Sequence, residues 1–289
     1  MPRVLIAGCG YVGTAAADLF HAAQWDVEGW THSPESAAQL AGKPYAVQAV
    51  DITDDAAVRK SAAPFDAVIH CASSGGGGAE VYRRVYFEGV RNLLATLRPR
   101  TFVYTSSTSV YAQTDRGWVD ETSPAEPRHE AGRILRETEE LVRQDGGLVA
   151  RLAGIYGPGR SALLRKFLSG EARLDEGGAR YLNQVHRDDI AGALVYLVAL
   201  CNERSSAPSI VNVTDDRPIT QREAYSWLAA KFDRPLPAVA ARASERKRGA
   251  SNKRVSNRKL RALGWEPRFP TFSIGMEKSV LPAFATLGA

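Results

Sequence analysis

The apolar run Val4-Leu5-Ile6-Ala7 ends in Gly8-Cys9-Gly10-Tyr11-Val12-Gly13, and apolar residues continue through 14–23. Few folds tolerate glycines at this spacing between a buried strand and a helix. Gly8 makes the tight turn out of the strand, Gly10 lets backbone N–H groups approach a pyrophosphate, and Gly13 lets the helix pack close to the strand. The positive end of the helix then faces the phosphates. The motif predicts a dinucleotide site with Gly8, Gly10, Tyr11, Val12 and Gly13 at the pyrophosphate.

Strand and helix patterns alternate beyond this turn. Strands are expected at 4–7, 27–30, 45–50, 67–70, 101–105 and 148–152, and helices at 34–40, 81–97 and 133–143. Such alternation builds βαβ units and a parallel sheet covered on both faces. After Gly154 the pattern becomes irregular, and a helix at 188–200 and a strand at 210–213 return to the sheet. The expected fold is α/β: a Rossmann-type doubly wound sheet from 1–153 and 183–213, with a small substrate lobe from 154–182 and 214–289.

No apolar run reaches the ~18 residues that cross a bilayer, and Met1-Pro2-Arg3 lead straight into a strand, so no signal peptide or membrane partner is expected. Three widely spaced cysteines, Cys9, Cys71 and Cys201, show no metal spacing and argue for reduced thiols in the cytoplasm. The net charge of +5 is local: residues 242–261 hold nine basic residues and one acid. That run lacks interleaved aromatics and a reading motif, so no nucleic-acid partner is expected.

The cofactor half is read from strand ends. Where NAD sites place an acid after the second strand, this chain has Thr31-His32-Ser33. Hydroxyls and an imidazole tolerate a 2′-phosphate, so NADP is favoured and NAD stays possible, although the usual arginine is also missing. Asp51-Ile52 follow the third strand and can meet the adenine; a helix cap at Thr53 or Asp54 is an equal use of that segment. Cys71-Ala72-Ser73 and the glycines Gly75 and Gly76 follow the fourth strand, at the edge where ligands sit. The first group is assigned to the cofactor and the two glycines to a substrate.

Several segments together resemble the NAD-dependent epimerase/dehydratase branch of the extended short-chain dehydrogenase/reductase superfamily. They are the glycine turn, Thr105-Ser106-Ser107-Thr108-Ser109-Val110-Tyr111, Arg151-Leu152-Ala153-Gly154-Ile155-Tyr156-Gly157-Pro158-Gly159, Val185-His186-Arg187-Asp188-Asp189-Ile190 and Leu263-Gly264-Trp265-Glu266-Pro267. The resemblance implies a nicotinamide cofactor and chemistry at a hydroxyl or carbonyl of a small polar or anionic, sugar-like substrate. It implies that Ser107 binds the reacting oxygen, that Tyr156 passes beside the nicotinamide and is a reserve proton donor, and that Tyr111 is structural. His186 is expected to pin the helix start near Asp188 and Asp189. Arg151, Lys253 and Arg254 are assigned to the substrate, and a homodimer through 81–97 and 130–143 is implied.

The family's Tyr-x-x-x-Lys pair is absent: alignment puts His129 at the Tyr position and Arg133 at the Lys position. This is similar to an atypical subgroup that keeps the fold and loses the Tyr. Four apart, the two side chains share a helix face. A first-turn position beside a cation pushes a histidine below its usual ~6.5, toward a neutral base. His129 therefore becomes the candidate base and Arg133 a cofactor or substrate contact; capping or solvation is the alternative for His129. Thr108-Ser109 stand where dehydratases of the branch carry an Asp-Glu pair, which disfavours dehydration. Two functions follow: an NAD(P)-dependent oxidoreductase or epimerase, or a catalytically impaired NADP(H)-binding sensor or scaffold.

Overall fold

The computed structural model describes residues 1–203, 208–240 and 251–287. Among them, seven strands form one parallel sheet: β1 (Arg3–Ala7), β2 (Asp26–Thr31), β3 (Ala46–Ala49), β4 (Ala67–His70), β5 (Thr101–Ser107), β6 (Leu148–Leu152) and β7 (Ile210–Val213). Their order is β7-β6-β5-β4-β1-β2-β3, with every pairing parallel. The order reverses between β1 and β4, so a crevice opens at their carboxyl ends.

The strands read as unbroken apolar runs because both faces are covered. Side chains alternate between two cores, as the two-residue period of a strand requires. Val4, Ile6, Ile69 and Ala150 enter a core with α1 (Tyr11–Ala22). Leu5, Ala7, Val68 and Val149 enter the other. On that second side lie α3 (Asp55–Lys60) and α4 (Ala79–Arg83), while α2 (Pro34–Ala38) links β2 to β3 and is followed by Leu40 and Tyr45 on the α1 side. A π-turn at Arg84–Glu88 carries the chain from α4 into α5 (Gly89–Leu97), and α6 (Glu130–Gln144) follows. The helix cap offered as one use of Thr53 or Asp54 forms at Asp54, whose carboxylate starts α3 by accepting from the N–H groups of Ala56 and Ala57.

A third core lies beyond the sheet. It gathers Tyr156, Leu164, Phe167, Leu174, Tyr225, Leu228, Phe272 and Met276, from α7 (Ala162–Leu168), from α9 (Gln221–Phe232) and from the C-terminal segment. Between α7 and α9, α8 (Arg187–Glu203) packs on α1. The start of α8 is tied to the C-terminal segment, since the Asp189 carboxylate accepts from the N–H groups of Arg268 and Phe269. Burial raises that carboxyl to about 6.

A buried ionic knot lies under the carboxyl ends of β5 and β6. The Arg151 guanidinium is 2% exposed and donates to both oxygens of Glu139, at 2.9 and 2.7 Å. It also donates to the Tyr111 hydroxyl at 2.8 Å. Glu139 further accepts from Ser106 and Arg136, and Tyr111 donates to Asn212 Oδ1 at 3.0 Å. The assignment of Arg151 to a substrate is thereby corrected. A guanidinium whose donors are all taken inside the core does not meet a ligand; it neutralises Glu139.

Removing one partner of a buried pair leaves an uncompensated charge, whereas an exposed pair contributes little. Glu139→Ala is expected to lower unfolding free energy by about 3–5 kcal/mol. Glu137→Ala, which breaks the exposed pair with Arg83, should cost under ~1 kcal/mol. Paired urea denaturation curves check both.

Candidate active site

The glycine turn is built for close backbone approach. Gly8 sits at φ +97°, and a Cβ there would lie 2.2 Å from the Ala72 nitrogen. The N–H groups of Gly8 and Cys9 both donate to Trp30 O, at 3.0 and 2.8 Å, which fixes the turn against β2. A Cβ at Gly13 would lie 2.2 Å from Gly8 O, so α1 starts hard against the turn. Gly10 differs: a Cβ there meets nothing within 4 Å. It borders open space at a helix start that no side chain caps and no acid occupies. That is the room and polarity a pyrophosphate requires.

Tyr11 latches this turn to the small lobe. Its hydroxyl donates to Pro158 O at 2.9 Å, and the guanidiniums of Arg160 and Arg187 stack on its ring at 5.2 and 5.0 Å. Both cations therefore flank the first turn of α1. Neither was singled out by sequence reasoning, because the latch joins segments 147 residues apart in the chain.

Two cavities adjoin the crevice. The first, of about 410 Å³, is lined by Gly8, Thr31, His32, Asp51, Ile52, Ala72, Ser73, Gly75 and Arg84, among others. Its apolar floor and rim of polar groups suit an adenosine. The strand-end residues Thr31, His32, Asp51, Ile52, Ala72 and Ser73 thus come together as expected. Others do not. Ser33 caps α2, its hydroxyl accepting from Ser36 N. The Cys71 thiol is not on the cavity wall, and burial pushes it up to about 12. Thr31 lines the cavity, but its one hydroxyl proton is shared between Ser33 O in the turn and Gln48 O on β3. Gly75 lines this cavity and not the substrate side, while Gly76 lines neither.

Two charges enter the rim that were not read at the tip of β2. Asp51 lies 3.6 Å from His32 Nδ1, because β2 and β3 are adjacent. Arg84 arrives from the π-turn and donates to Thr53 Oγ1 at 3.3 Å. The extra residue of a π-turn shifts the helical phase, so no regular spacing predicts where Arg84 points.

The second cavity, of about 430 Å³, lies at the carboxyl ends of β5 and β6. Ser107, Thr108, Ser109, Ala153 and Gly154 form one wall; Arg180, Tyr181, Asn183, Gln184, Ser251 and Lys253 form much of the other. Of the expected substrate residues, Ser107 and Lys253 are here. Arg254 is not: it turns outward, stacks on Trp118 and Tyr181 and donates to Arg116 O. The basic cluster Arg246-Lys247-Arg248 lies outside the described residues. Arg180, Tyr181, Asn183 and Gln184 were missed, since the paired strands Tyr181–Leu182 and Gln184–His186 are too short to give a periodicity to read.

Lys253 is held in place from both sides. Asn183 donates through Nδ2 to Lys253 O at 3.0 Å and accepts through Oδ1 from Val255 N at 2.7 Å. Arg254–Val255 pair in parallel with Trp118–Val119. The Lys253 side chain is 6% exposed. Burial, reinforced by the Arg180 guanidinium, pulls its ammonium down to about 8.

The assigned acid–base residues lie elsewhere. His129 is the N-cap of α6: Nδ1 accepts from Gly132 N at 3.0 Å, and Nε2 lies 3.4 Å from Ser109 O. With Nδ1 an acceptor, Nε2 carries the proton and neither nitrogen is left to act as a base on a ligand. Arg133 is exposed and donates to Arg128 O. Tyr156 is 1% exposed, packed on Phe272 and His186 in the third core. A Cβ at Gly275 would lie 2.1 Å from its hydroxyl, and burial raises the phenol well above its ordinary value. It therefore faces the lobe and not a nicotinamide. His186 is fully buried and lowered to about 4 by burial; Nδ1 accepts from Asp188 N, which pins the start of α8.

An N-cap contributes about 1 kcal/mol. His129→Ala is expected to lower stability by that amount in urea melts and to leave dinucleotide affinity unchanged by calorimetric titration.

These features have known counterparts. The sequence model of the NAD dependent epimerase/dehydratase family matches residues 4–213. Protein YeeZ of Escherichia coli (strain K12) is 34% identical over 210 residues, covering 68% of this chain and 73% of its own. A solved structure from Methylobacillus flagellatus, described as an NAD-dependent epimerase/dehydratase, is 26% identical with a TM-score of 0.78, covering 100% of this chain and 99% of that one. The UDP-glucose 4-epimerase of Thermus thermophilus, solved in complex with NAD, shares the fold with a TM-score of 0.80 at 20% identity over 99% of both chains. With its glycine turn, its strand order and the match over 4–213, this chain belongs to the NAD-dependent epimerase/dehydratase family.

Proposed function

We propose that the protein is an NADP-dependent oxidoreductase or epimerase acting on a hydroxyl or carbonyl carbon of a small polar or anionic, sugar-like substrate. The observation that carries this reading is the pair of cavities on the carboxyl edge of the sheet. The first is lined by Gly8 of the glycine turn with the strand ends at Thr31, Asp51 and Ala72, and the second by Ser107 with Arg180 and Lys253. Bound there, the dinucleotide supplies or accepts a hydride. The chain's own part is to hold the pyrophosphate at Gly10 and α1, the adenosine between Ile52 and Ala72, and the substrate oxygen near Ser107. The permanent cation Arg180 on the lining of a cavity of about 430 Å³ favours a substrate that carries a carboxylate or phosphate.

The preference for NADP rests on His32 and Arg84 at the rim of the adenosine cavity, set against one carboxylate, Asp51, which also accepts from Thr53 N. A cytoplasmic homodimer through α5 and α6 belongs to the same reading. Among the described residues no helix is long and apolar enough to cross a membrane. The burial of Tyr156 and the capping role of His129 favour a second reading, a dinucleotide-binding sensor or scaffold without turnover.

Titration of the purified protein with NADPH and NADH separates these outcomes, with five tryptophans as energy donors. NADPH is expected to bind more tightly than NADH, and Arg84→Ala to weaken NADPH about tenfold while leaving NADH nearly unchanged, the loss of one charge-assisted contact. Equal affinities overturn the NADP preference. Binding of neither overturns the cofactor site. Tight binding with no turnover on alcohol and aldehyde panels selects the sensor.

A further inference from the structure

The family's Tyr-x-x-x-Lys pair is absent from this chain, so proton transfer at a substrate oxygen falls to another group. The residues assigned to replace the pair are engaged elsewhere: both nitrogens of His129 are held at the start of α6, and Tyr156 is buried in the third core. Among the described residues lining the cavity, three carry titratable side chains: Arg180, Tyr181 and Lys253. A guanidinium keeps its proton throughout the ordinary pH range. The Tyr181 ring stacks with Arg116 and Arg254, and its hydroxyl is the competing proton donor that Tyr181→Phe tests.

We propose that Lys253 Nζ is the acid–base group of this cavity, exchanging a proton with the substrate oxygen that Ser107 holds. The inference rests on the proposed oxidoreductase or epimerase function and adds a catalytic residue from a part of the chain far from the family's own pair.

The geometry supports this in three ways. Lys253 is 6% exposed and lines the same cavity as Ser107. Its backbone is clamped by Asn183 and by the pairing of Arg254–Val255 with Trp118–Val119, so the side chain projects from a fixed point. Its ammonium donates to the Ser251 hydroxyl at 2.9 Å, and among the described residues no carboxylate pairs with it. A structural lysine at this depth would have a carboxylate to neutralise it. The charged and titratable groups around it are Arg180 and Tyr181 on the cavity lining, with Arg116 and Arg254 stacked on Tyr181. Burial and the like charge of Arg180 favour the neutral amine, as with other catalytic lysines set beside a cation.

In the reducing direction, hydride arrives at the carbonyl carbon from the dihydronicotinamide of NADPH. The C=O π electrons move onto oxygen, and oxygen takes a proton from the Lys253 ammonium. The neutral amine then regains a proton from water. In the oxidising direction the neutral amine accepts the hydroxyl proton. Reduction needs the ammonium and should slow as pH rises through about 8; oxidation needs the amine and should quicken over the same interval.

The first test needs no substrate. Trace labelling of the full-length protein with acetic anhydride across pH 6–11, read by peptide mass spectrometry, gives the titration midpoint of each lysine. Lys253 is expected near 8, below the ~10.4 of a free lysine, with its midpoint rising in Arg180→Gln. The second test is NADPH-dependent reduction of glyceraldehyde and phenanthrenequinone. Lys253→Met should lower kcat by about 100-fold or more, with KM and NADPH affinity within about threefold, and Lys253→Arg should not rescue it. Rescue by Lys253→Arg would assign the residue to anion binding and overturn the proposal. So would an ordinary labelling midpoint, or loss of turnover confined to Tyr181→Phe. Failure to bind either nucleotide overturns the underlying function instead, and the labelling midpoint is read independently of it.

Discussion

The structure depends on a contact that leaves no room for a side chain. Gly8, at the end of β1, lies so close to Ala72, just after β4, that a Cβ would sit 2.2 Å from its amide nitrogen. β1 and β4 are the neighbours between which the strand order reverses. Their ends approach closely at the backbone, while the connections that leave them run to opposite sides. The crevice exists because the chain diverges there. The adenosine cavity uses Gly8 and Ala72 themselves, and the substrate cavity lies further along the same edge, beyond β5. Any side chain at residue 8 would part the two strands at the point where the first cavity needs them together.

Beneath the substrate cavity, buried polar groups take the place that apolar packing has elsewhere. Ser106 at the end of β5 bonds Glu139 on α6, Glu139 bonds Arg151 on β6, Arg151 bonds Tyr111, and Tyr111 bonds Asn212 on β7. Asn212 continues outward, donating to Ser256 O at 3.2 Å, three residues past Lys253. Directional bonds of this kind specify one arrangement where apolar contacts would accept several. The C-terminal segment that carries Lys253 is thus registered against the sheet by the same chain of bonds that neutralises a buried carboxylate.

The strands were legible because a fully covered parallel sheet demands unbroken apolar runs, and β4, β6 and β7 fall where those runs stand. The glycine turn was legible because each glycine answers a separate steric demand. Side-chain roles were less so. His129 and Arg133 do share a helix, but residue type and spacing do not tell whether an imidazole faces a ligand or turns back onto its own first turn; Gly132 N–H takes it. Arg151 and Tyr156 stand in family-like segments, and in both the side chain points into a core where its partners come from distant strands or helices. Lys253 was legible as a cation, but its burial depends on residues 180–184, whose paired strands are too short to give a periodicity.

The segment around Lys253 contributes no strand to the seven-stranded sheet. It is attached through a two-residue pairing, through the Asn183 amide and through Asn212. The dinucleotide cradle is made entirely by other parts of the chain. Residues 251–257 divide their labour: Asn252 and Asn257 fasten the segment to Tyr181, Thr214 and Asp216, and under the proposed function Lys253 is the position where a substitution would alter what is done at the substrate oxygen while the first cavity, which no residue of this segment lines, keeps its form.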